Sequence, residues 1–437
     1  MKLLHQLLPV ASLVIFLMVA GCNKNNPTPN APLPTIASIN PVSGVAGTSV
    51  TITGSNFDAT ASANTVKFNG ISATVTSASS TSLVVTAPAS GTTGAVTVST
   101  SAGTANGPTF TYTIAAAKDV YVAGFENSAS GYLVAKYWKN GTATSITDGS
   151  KEAIAYAVFV SGTDVYTAGY EWKTQPGPTN NNIAKYWKNT TATALTDGSN
   201  NANATSIFVS GSDVYVAGYE SVGTHRFAKY WKNGVSVLLT NGNNDAGAFS
   251  IIVSGTDVYV AGYENSNGTS GKNIAKVWKN GVATDLTSAG INAIAASLYL
   301  SGADVYVAGY FATNGLGNSA AYWKNGTITV LANGSINTGA QANSIFVSGN
   351  DVYVAGSDYD VTNGIANYWK NGARVALTDG GDKTTSNAIA VNGSDVFVAG
   401  DYFVGGQIFA AKYWKNGTAT PLTNGTYNAS ALGIFLK

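Results

Sequence analysis

Ser206-Ile-Phe-Val-Ser-Gly-Ser-Asp-Val-Tyr-Val-Ala-Gly-Tyr219, a loop, then Ala228-Lys-Tyr-Trp-Lys-Asn-Gly234 and a last run from Val235 to Thr240 make one period of a repeat that fills most of the chain. Gly211-Ser212 and Asn233-Gly234 punctuate it. Asn-Gly between two apolar runs is a strong hairpin signal, because both residues tolerate the positive φ that a type I′ turn requires. The period therefore reads as four strands of one antiparallel sheet. Its second strand opens seven times, at Asp119, Asp164, Asp213, Asp257, Asp304, Asp351 and Asp395, so the spacing runs from 44 to 49 residues. A spacing of that size belongs to a propeller or a solenoid.

Two features select the propeller. The first two strands of each period are apolar on both faces, as expected of sheets covered on both sides. Blades stacked around an axis supply that cover. The tryptophan of each period is then assigned to packing between blades. The ends of the array point the same way. The strand opened by Asp119 has no apolar partner before it, and the chain closes on Ala431-Leu-Gly-Ile-Phe-Leu-Lys437, a spare copy of the missing strand. The C-terminus is expected to complete the first sheet and close a ring of seven, leaving no bare edge. A solenoid would show polar capping repeats instead. The fold class is all-β: a sandwich followed by a seven-bladed propeller.

Composition narrows the function. Of 437 residues, 45% are hydrophobic and only 10% charged, with a net charge of +1. Such a chain has no basic field for nucleic acid. Near the N-terminus Lys2 precedes an apolar run over residues 7–20, too short for a stable membrane span. The run ends in Val19-Ala20-Gly21-Cys22, which holds the only cysteine. This segment resembles a bacterial lipoprotein leader. The resemblance implies cleavage before Cys22, lipidation of its thiol, and a membrane partner through that lipid. Several acyl chains on one residue would anchor stably. Asn23 after the cysteine implies the outer membrane in such leaders. Residues 1–22 are thus read as the leader, and 23–33, rich in Pro and Asn, as an extended spacer.

Residues 34–113 alternate in short runs such as Val50-Thr-Ile-Thr53 and Leu83-Val-Val-Thr86, which suits a small β-sandwich. The stretch resembles the IPT/TIG family of immunoglobulin-like domains, through Ile39-Asn-Pro-Val-Ser-Gly44, Gly47-Thr-Ser-Val-Thr-Ile-Thr-Gly-Ser-Asn-Phe57, Val66-Lys-Phe-Asn-Gly70 and Phe110-Thr-Tyr112. The resemblance implies a rigid spacer. The propeller then occupies 114–437. Its period is similar to kelch and galactose-oxidase propellers in the apolar first strand, the Val-Tyr-Val-Ala-Gly second strand and the late tryptophan. The double glycine of kelch is mostly Ala-Gly here.

Strand order puts the Ser-Gly-Ser/Thr-Asp and Lys-Asn-Gly turns at one end of the ring, where the sequence hardly varies. The loops at the other end vary, and variable loops on a rigid scaffold are the expected place for function. At the constant end each opening Asp is expected to pair with the Lys that ends the third strand of its own blade. At the variable end Glu126, Glu171, Glu220 and Glu264 occur in the same blades as Lys136, Lys185, Lys229 and Lys276, which favours pairing within blades over a ring for a cation. Blade six offers Asp358 with Asn367. The crossings Thr147-Asp-Gly-Ser150 and Thr196-Asp-Gly-Ser-Asn200 carry spaced oxygens that can bind calcium, though such runs commonly form Asx turns. No other cofactor is implied.

Candidate binding residues are those that break the repeat. Trp172 is the only tryptophan outside the motif and stands in the longest loop. Tyr132, His225, Arg226, Phe311, Tyr359 and Phe403 are the other candidates, with the four glutamates. Aromatics beside amides and carboxylates suit sugars. Once the leader is gone, His225 is the sole histidine and no thiol stays free, so a His/Cys zinc site is excluded and a Ser-His-Asp triad would need His225. The reading is a cell-envelope lipoprotein, not an enzyme, that recognises a glycan or a surface protein. The competing readings are an assembly component without a small ligand, and a polysaccharide hydrolase or lyase.

Overall fold

A computed structural model describes residues 31–113, 118–173, 181–266, 271–313, 316–335, 337–359, 364–377 and 383–437. The leader, Cys22 and most of the spacer lie outside these residues. The chain divides into two compact units, one ending at Ala117 and one starting at Lys118.

In the first unit, Ser49–Ser55 pairs with Thr35–Asn40 and with Ser82–Thr86, while Thr65–Phe68 pairs with Ile71–Ala78 and Gly94–Thr100. Alternate residues point inward, as a strand's two-residue period requires. Val50, Ile52, Val66, Phe68, Leu83, Val85, Val96, Val98 and Phe110 form a single buried core. The edges of Phe68 and Tyr112 meet Phe110 at 5.1 Å each.

The second unit is seven four-stranded antiparallel sheets. Blade three is typical. Ala202–Ser210, Asp213–Val222, His225–Lys232 and Val235–Leu238 follow one another from the axis outward. Blade one has Val120–Asn127 as its second strand, and its inner strand is the C-terminal Ala429–Leu436, paired antiparallel from Ala429 opposite Glu126 to Leu436 opposite Val120. The expected clasp is in place, and the N–H groups and carbonyls of Asp119 and Lys437 bond each other.

The motif tryptophans Trp138, Trp187, Trp231, Trp278, Trp323, Trp369 and Trp414 are all at most 1% exposed. Each lies against the preceding blade. Trp231 meets Tyr166, Ala168 and Ala184 of blade two, and Trp138 meets Phe397, Ala399 and Ala411 of blade seven. The ring is therefore held by seven similar apolar seams. In blade four Val277 stands where the other blades carry a tyrosine before the tryptophan.

The hairpin turns explain the constant end. Asn233 and Gly234 have φ of 51° and 83°, the signature of a type I′ turn. Asn189 is also at positive φ, 58°, although Thr190 follows it. Each turn asparagine does two further things. In blade three its Oδ1 accepts the N–H of Val214 at 2.8 Å and its Nδ2 donates to Asp213 at 2.8 Å. The second carboxylate oxygen of Asp213 takes Lys232 at 2.8 Å, and the Lys232 ammonium lies over the Tyr215 ring. The same Asp–Lys pair forms at 2.8 Å in all seven blades. Lys232 and Asn233 hold the Asp213 carboxyl below the ordinary carboxylate range. The Asp213 and Lys232 side chains are 33% and 47% exposed, and the expected local pairing accounts for them.

One feature of the inner strand departs from the sequence reading. The strand starts at Ala202, four residues before Ser206, because it continues through a β-bulge between Ala204 and Ser206. The bulge recurs in every blade. It accounts for the glycine of Val-Ala-Gly. A Cβ on Gly218 would sit 2.0 Å from the carbonyl oxygen of Asn203, and the same glycine in the other blades meets an inner-strand carbonyl at 1.8 to 2.0 Å. Only glycine admits that approach.

Candidate functional site: the axial cavity

The bulge turns one extra residue per blade out of the ladder, as bulges do. Those residues are Tyr156, Thr205, Phe249, Ala296, Asn343, Asn387 and Leu432, in blades two to seven and then one. All seven line a cavity of about 560 Å³ on the propeller axis. Tyr219 and Tyr310, at the variable ends of their second strands, also line it, as do Asn203 and Gln341. Among the described lining residues none is charged.

The lining is two-sided. Blades two to five contribute Tyr156, Tyr219, Phe249 and Tyr310. Tyr156 leans on Tyr170 with ring centres 6.0 Å apart, and Phe249 stacks on Tyr263 at 5.7 Å. Burial pushes up the phenols of Tyr156, Tyr219 and Tyr310, so all three stay protonated at neutral pH. The phenol oxygen of Tyr219 accepts from Asn203 Nδ2 at 2.9 Å, which leaves its proton free to be donated.

Blades six and seven contribute amides. Asn343 Nδ2 donates to the Ser386 carbonyl at 2.9 Å, and Asn387 Nδ2 donates to the Ala431 carbonyl at 2.9 Å. Each asparagine thus ties its blade to the next and keeps its Oδ1 as an acceptor.

Behind Asn387 lies Asp401, only 7% exposed. It occupies the position that is tyrosine in blades two to five. Its oxygens accept from Thr385 Oγ1 at 2.7 Å, from Ser430 Oγ of the closing strand, and from Asn387 Nδ2 at 3.4 Å. Burial raises its carboxyl above the ordinary value, and the Ser430, Thr385 and Asn387 donors offset part of that rise.

None of the residues singled out in the sequence is in the lining of this cavity. Trp172 is half-buried at the end of its strand, its N–H bonded to the Glu152 carbonyl; residues 174–180 of its loop are outside the described set. His225 is exposed, 3.6 Å from Asp245. Phe403 packs on Phe409 and lies beneath Lys383. Tyr132 and Phe311 are half-buried, Phe311 against the apolar seam of blades four and five. Two candidates touch the lining indirectly: Arg226 stacks over Tyr219 at 5.1 Å, and the Tyr359 hydroxyl donates to Gln341 at 3.4 Å.

The glutamates are paired within their blades. Glu126 meets Lys136 at 2.5 Å, Glu171 meets Lys185, Glu220 meets Lys229 at 2.6 Å, and Glu264 meets Lys276 at 3.3 Å. Asp358 takes Arg374 of the outer strand at 2.5 Å, not Asn367. Asp148 and Asp197 each accept the N–H and hydroxyl of the serine two residues on, the geometry of Asx turns.

The sequence reading starts the first strand at the apolar run and so passes over the bulge residues. Their signal was present: this position carries six different residue types in seven blades, between flanks that scarcely change.

The IPT/TIG domain model matches residues 34–112. That segment is an IPT/TIG domain. No curated protein matches the chain. Among solved structures, a protein of unknown function from Bacteroides thetaiotaomicron is 12% identical and aligns over 94% of this chain and 99% of its own, with a TM-score of 0.39. An auxiliary nutrient binding protein from the same species is 12% identical, over 93% and 98%, at 0.32. The β-propeller domain of the Trilobed protease from Pyrococcus furiosus is 8% identical, over 90% and 99%, at 0.39. Likenesses this distant leave function to be argued from the chain's own residues.

Proposed function

We propose that this chain is an exported envelope protein, anchored through lipid on Cys22, whose propeller binds carbohydrate at the variable end of its axis. The lining of the axial cavity carries the reading. Aromatic rings on one side suit the apolar face of a sugar, and fixed amide acceptors on the other suit its hydroxyls. A binding role is favoured over hydrolysis because Glu126, Glu171, Glu220 and Glu264 are each neutralised by a lysine of their own blade, whereas glycoside hydrolysis needs two carboxyl groups facing one bond.

A glycan array with wild type, Asn387→Ala and Trp172→Ala tests the proposal. Loss with Asn387→Ala alone places the site on the axis. Loss with Trp172→Ala alone moves it to the long loop, and a blank array for wild type contradicts carbohydrate binding. Mass spectrometry of the mature N-terminus tests the anchor: an unmodified Cys22 would contradict it.

A protein ligand is the second reading. It is favoured by Val235, Leu238, Val282, Ile328 and Val330, exposed on the outer strands of blades three to five, where blades one, two and seven carry Thr142-Ala-Thr-Ser145, Thr191-Ala-Thr-Ala194 and Thr418-Ala-Thr-Pro421. Photo-crosslinking from position 235 in intact cells tests it; no specific adduct there would rule it out.

A further inference from the structure

We infer that the axial cavity takes the uncharged terminal unit of a glycan, entering end-on from the variable end, and does not take a stretch from the interior of the chain. The inference rests on the carbohydrate reading above and deepens it.

On blades two, three and one the cavity lining reaches Val158, Ile207 and Ile434. The next residues on the same strands, Phe159, Phe208 and Phe435, pack on one another across three adjacent blades, with ring centres 4.8 and 4.9 Å apart. Tyr299 and Phe346 pack the same way across blades five and six, at 4.7 Å. These rings form an apolar band below the polar lining, which a polymer threaded along the axis would have to pass.

The polar wall of the cavity is fixed. The hydroxyls of Ser206, Ser250, Ser297 and Ser344 each accept a backbone N–H of the following blade, from Ile251, Leu298, Ile345 and Ile389, at 3.2 to 3.4 Å. At the seam the equivalent residues are Ala388, Gly433 and Ala157. There the inner strands crowd together: a Cβ on Gly433 would come within 2.8 Å of the Tyr156 carbonyl. The cavity is thus a socket whose polar groups are set in place before a ligand arrives.

The chemistry of that socket favours an end. Asn343 and Asn387 each use an Nδ2 hydrogen on the wall and keep Oδ1 as an acceptor, which a hydroxyl proton of the ligand would satisfy. The terminal unit keeps as a hydroxyl the oxygen that an interior unit spends on the next glycosidic bond, and an ether oxygen has no proton to give. The absence of charge among the described lining residues selects further. A uronate or sulfate in the socket would be desolvated without a counter-ion, which is strongly unfavourable. The nearby Arg226 is engaged over the Tyr219 ring.

The test uses the purified full chain and neutral glucan, mannan, galactan and xylan, each before and after partial acid hydrolysis that multiplies chain ends at constant mass. For the polysaccharide that binds, competition per unit mass should rise in proportion to the new ends, and Asn343→Ala should weaken a short oligosaccharide of the same sugar. Potency unchanged by hydrolysis would overturn end-on binding while leaving carbohydrate recognition standing. Preference for a uronic-acid or sulfated chain would overturn the uncharged socket in the same way. No binding to any of the probes would sink both readings.

Discussion

The constant and variable ends of the propeller are built on the same seven sheets, yet they solve opposite problems. At the constant end Asp213, Lys232, Asn233 and Tyr215 form a closed set in which nearly every polar group has a partner within its own blade, and six other blades repeat it with little change. At the variable end of the axis, one bulge residue per blade is released from the ladder, and it ranges from Ala296 to Tyr156 and Asn343. Repetition marks where the scaffold satisfies itself. Departure from it, at a backbone position that every blade keeps, marks where a ligand can be served.

The comparison can be broken at several levels. The largest effect is expected from removing residues 430–437, which strips the inner strand from blade one and bares the edge of Val120–Asn127. Bare edges pair with other chains. The truncated chain should aggregate or elute as oligomers, and a monomer with an unchanged melting temperature would contradict the clasp.

Next comes the seam between blades. Trp231→Ala should cost about 3–5 kcal/mol in a denaturant titration, as large-to-small changes do at fully buried positions. Leu238→Ser on the outer strand, where the side chain is 57% exposed, should stay within about 0.5 kcal/mol.

The smallest effects are electrostatic, and there the two regions should move in opposite directions. The folded-state pKa of Asp213 is lowered, so its contribution is present above the unfolded value of 3.8 and is lost as the pH falls through the folded value. The folded-state pKa of Asp401 is raised, so its contribution is complete below 3.8 and is lost as the pH rises through its higher folded value. Relative to Asp401→Asn, wild type should therefore melt highest in acid and lose ground as the pH climbs. Relative to Asp213→Asn, it should gain ground over the same climb. Parallel pH profiles for the two variants would contradict the burial assigned to Asp401.

Much of the fold was legible because its signals are local and recur. Asn-Gly turns, two-sided apolar strands and the orphaned strand at Asp119 need no knowledge of distant contacts. Pairing of Glu220 with Lys229 was legible too, because the two covary across blades. The cavity was not. Its residues precede the apolar run by one or two positions, where a bulge continues the strand although the alternation fails. The sequence reading of Trp172 and Phe403 weighed rarity and loop position. Burial against a neighbouring blade, which decides what faces the axis, depends on contacts some 45 residues away.

The most direct measurement titrates one neutral oligosaccharide, chosen from the array, into Asn343→Ala and Lys232→Ala side by side. The account predicts that Asn343→Ala weakens binding by roughly two- to tenfold, the worth of one hydrogen bond, while Lys232→Ala binds as wild type does. Weakened binding in Lys232→Ala with Asn343→Ala unaffected would place the site at the wrong end of the molecule and contradict it.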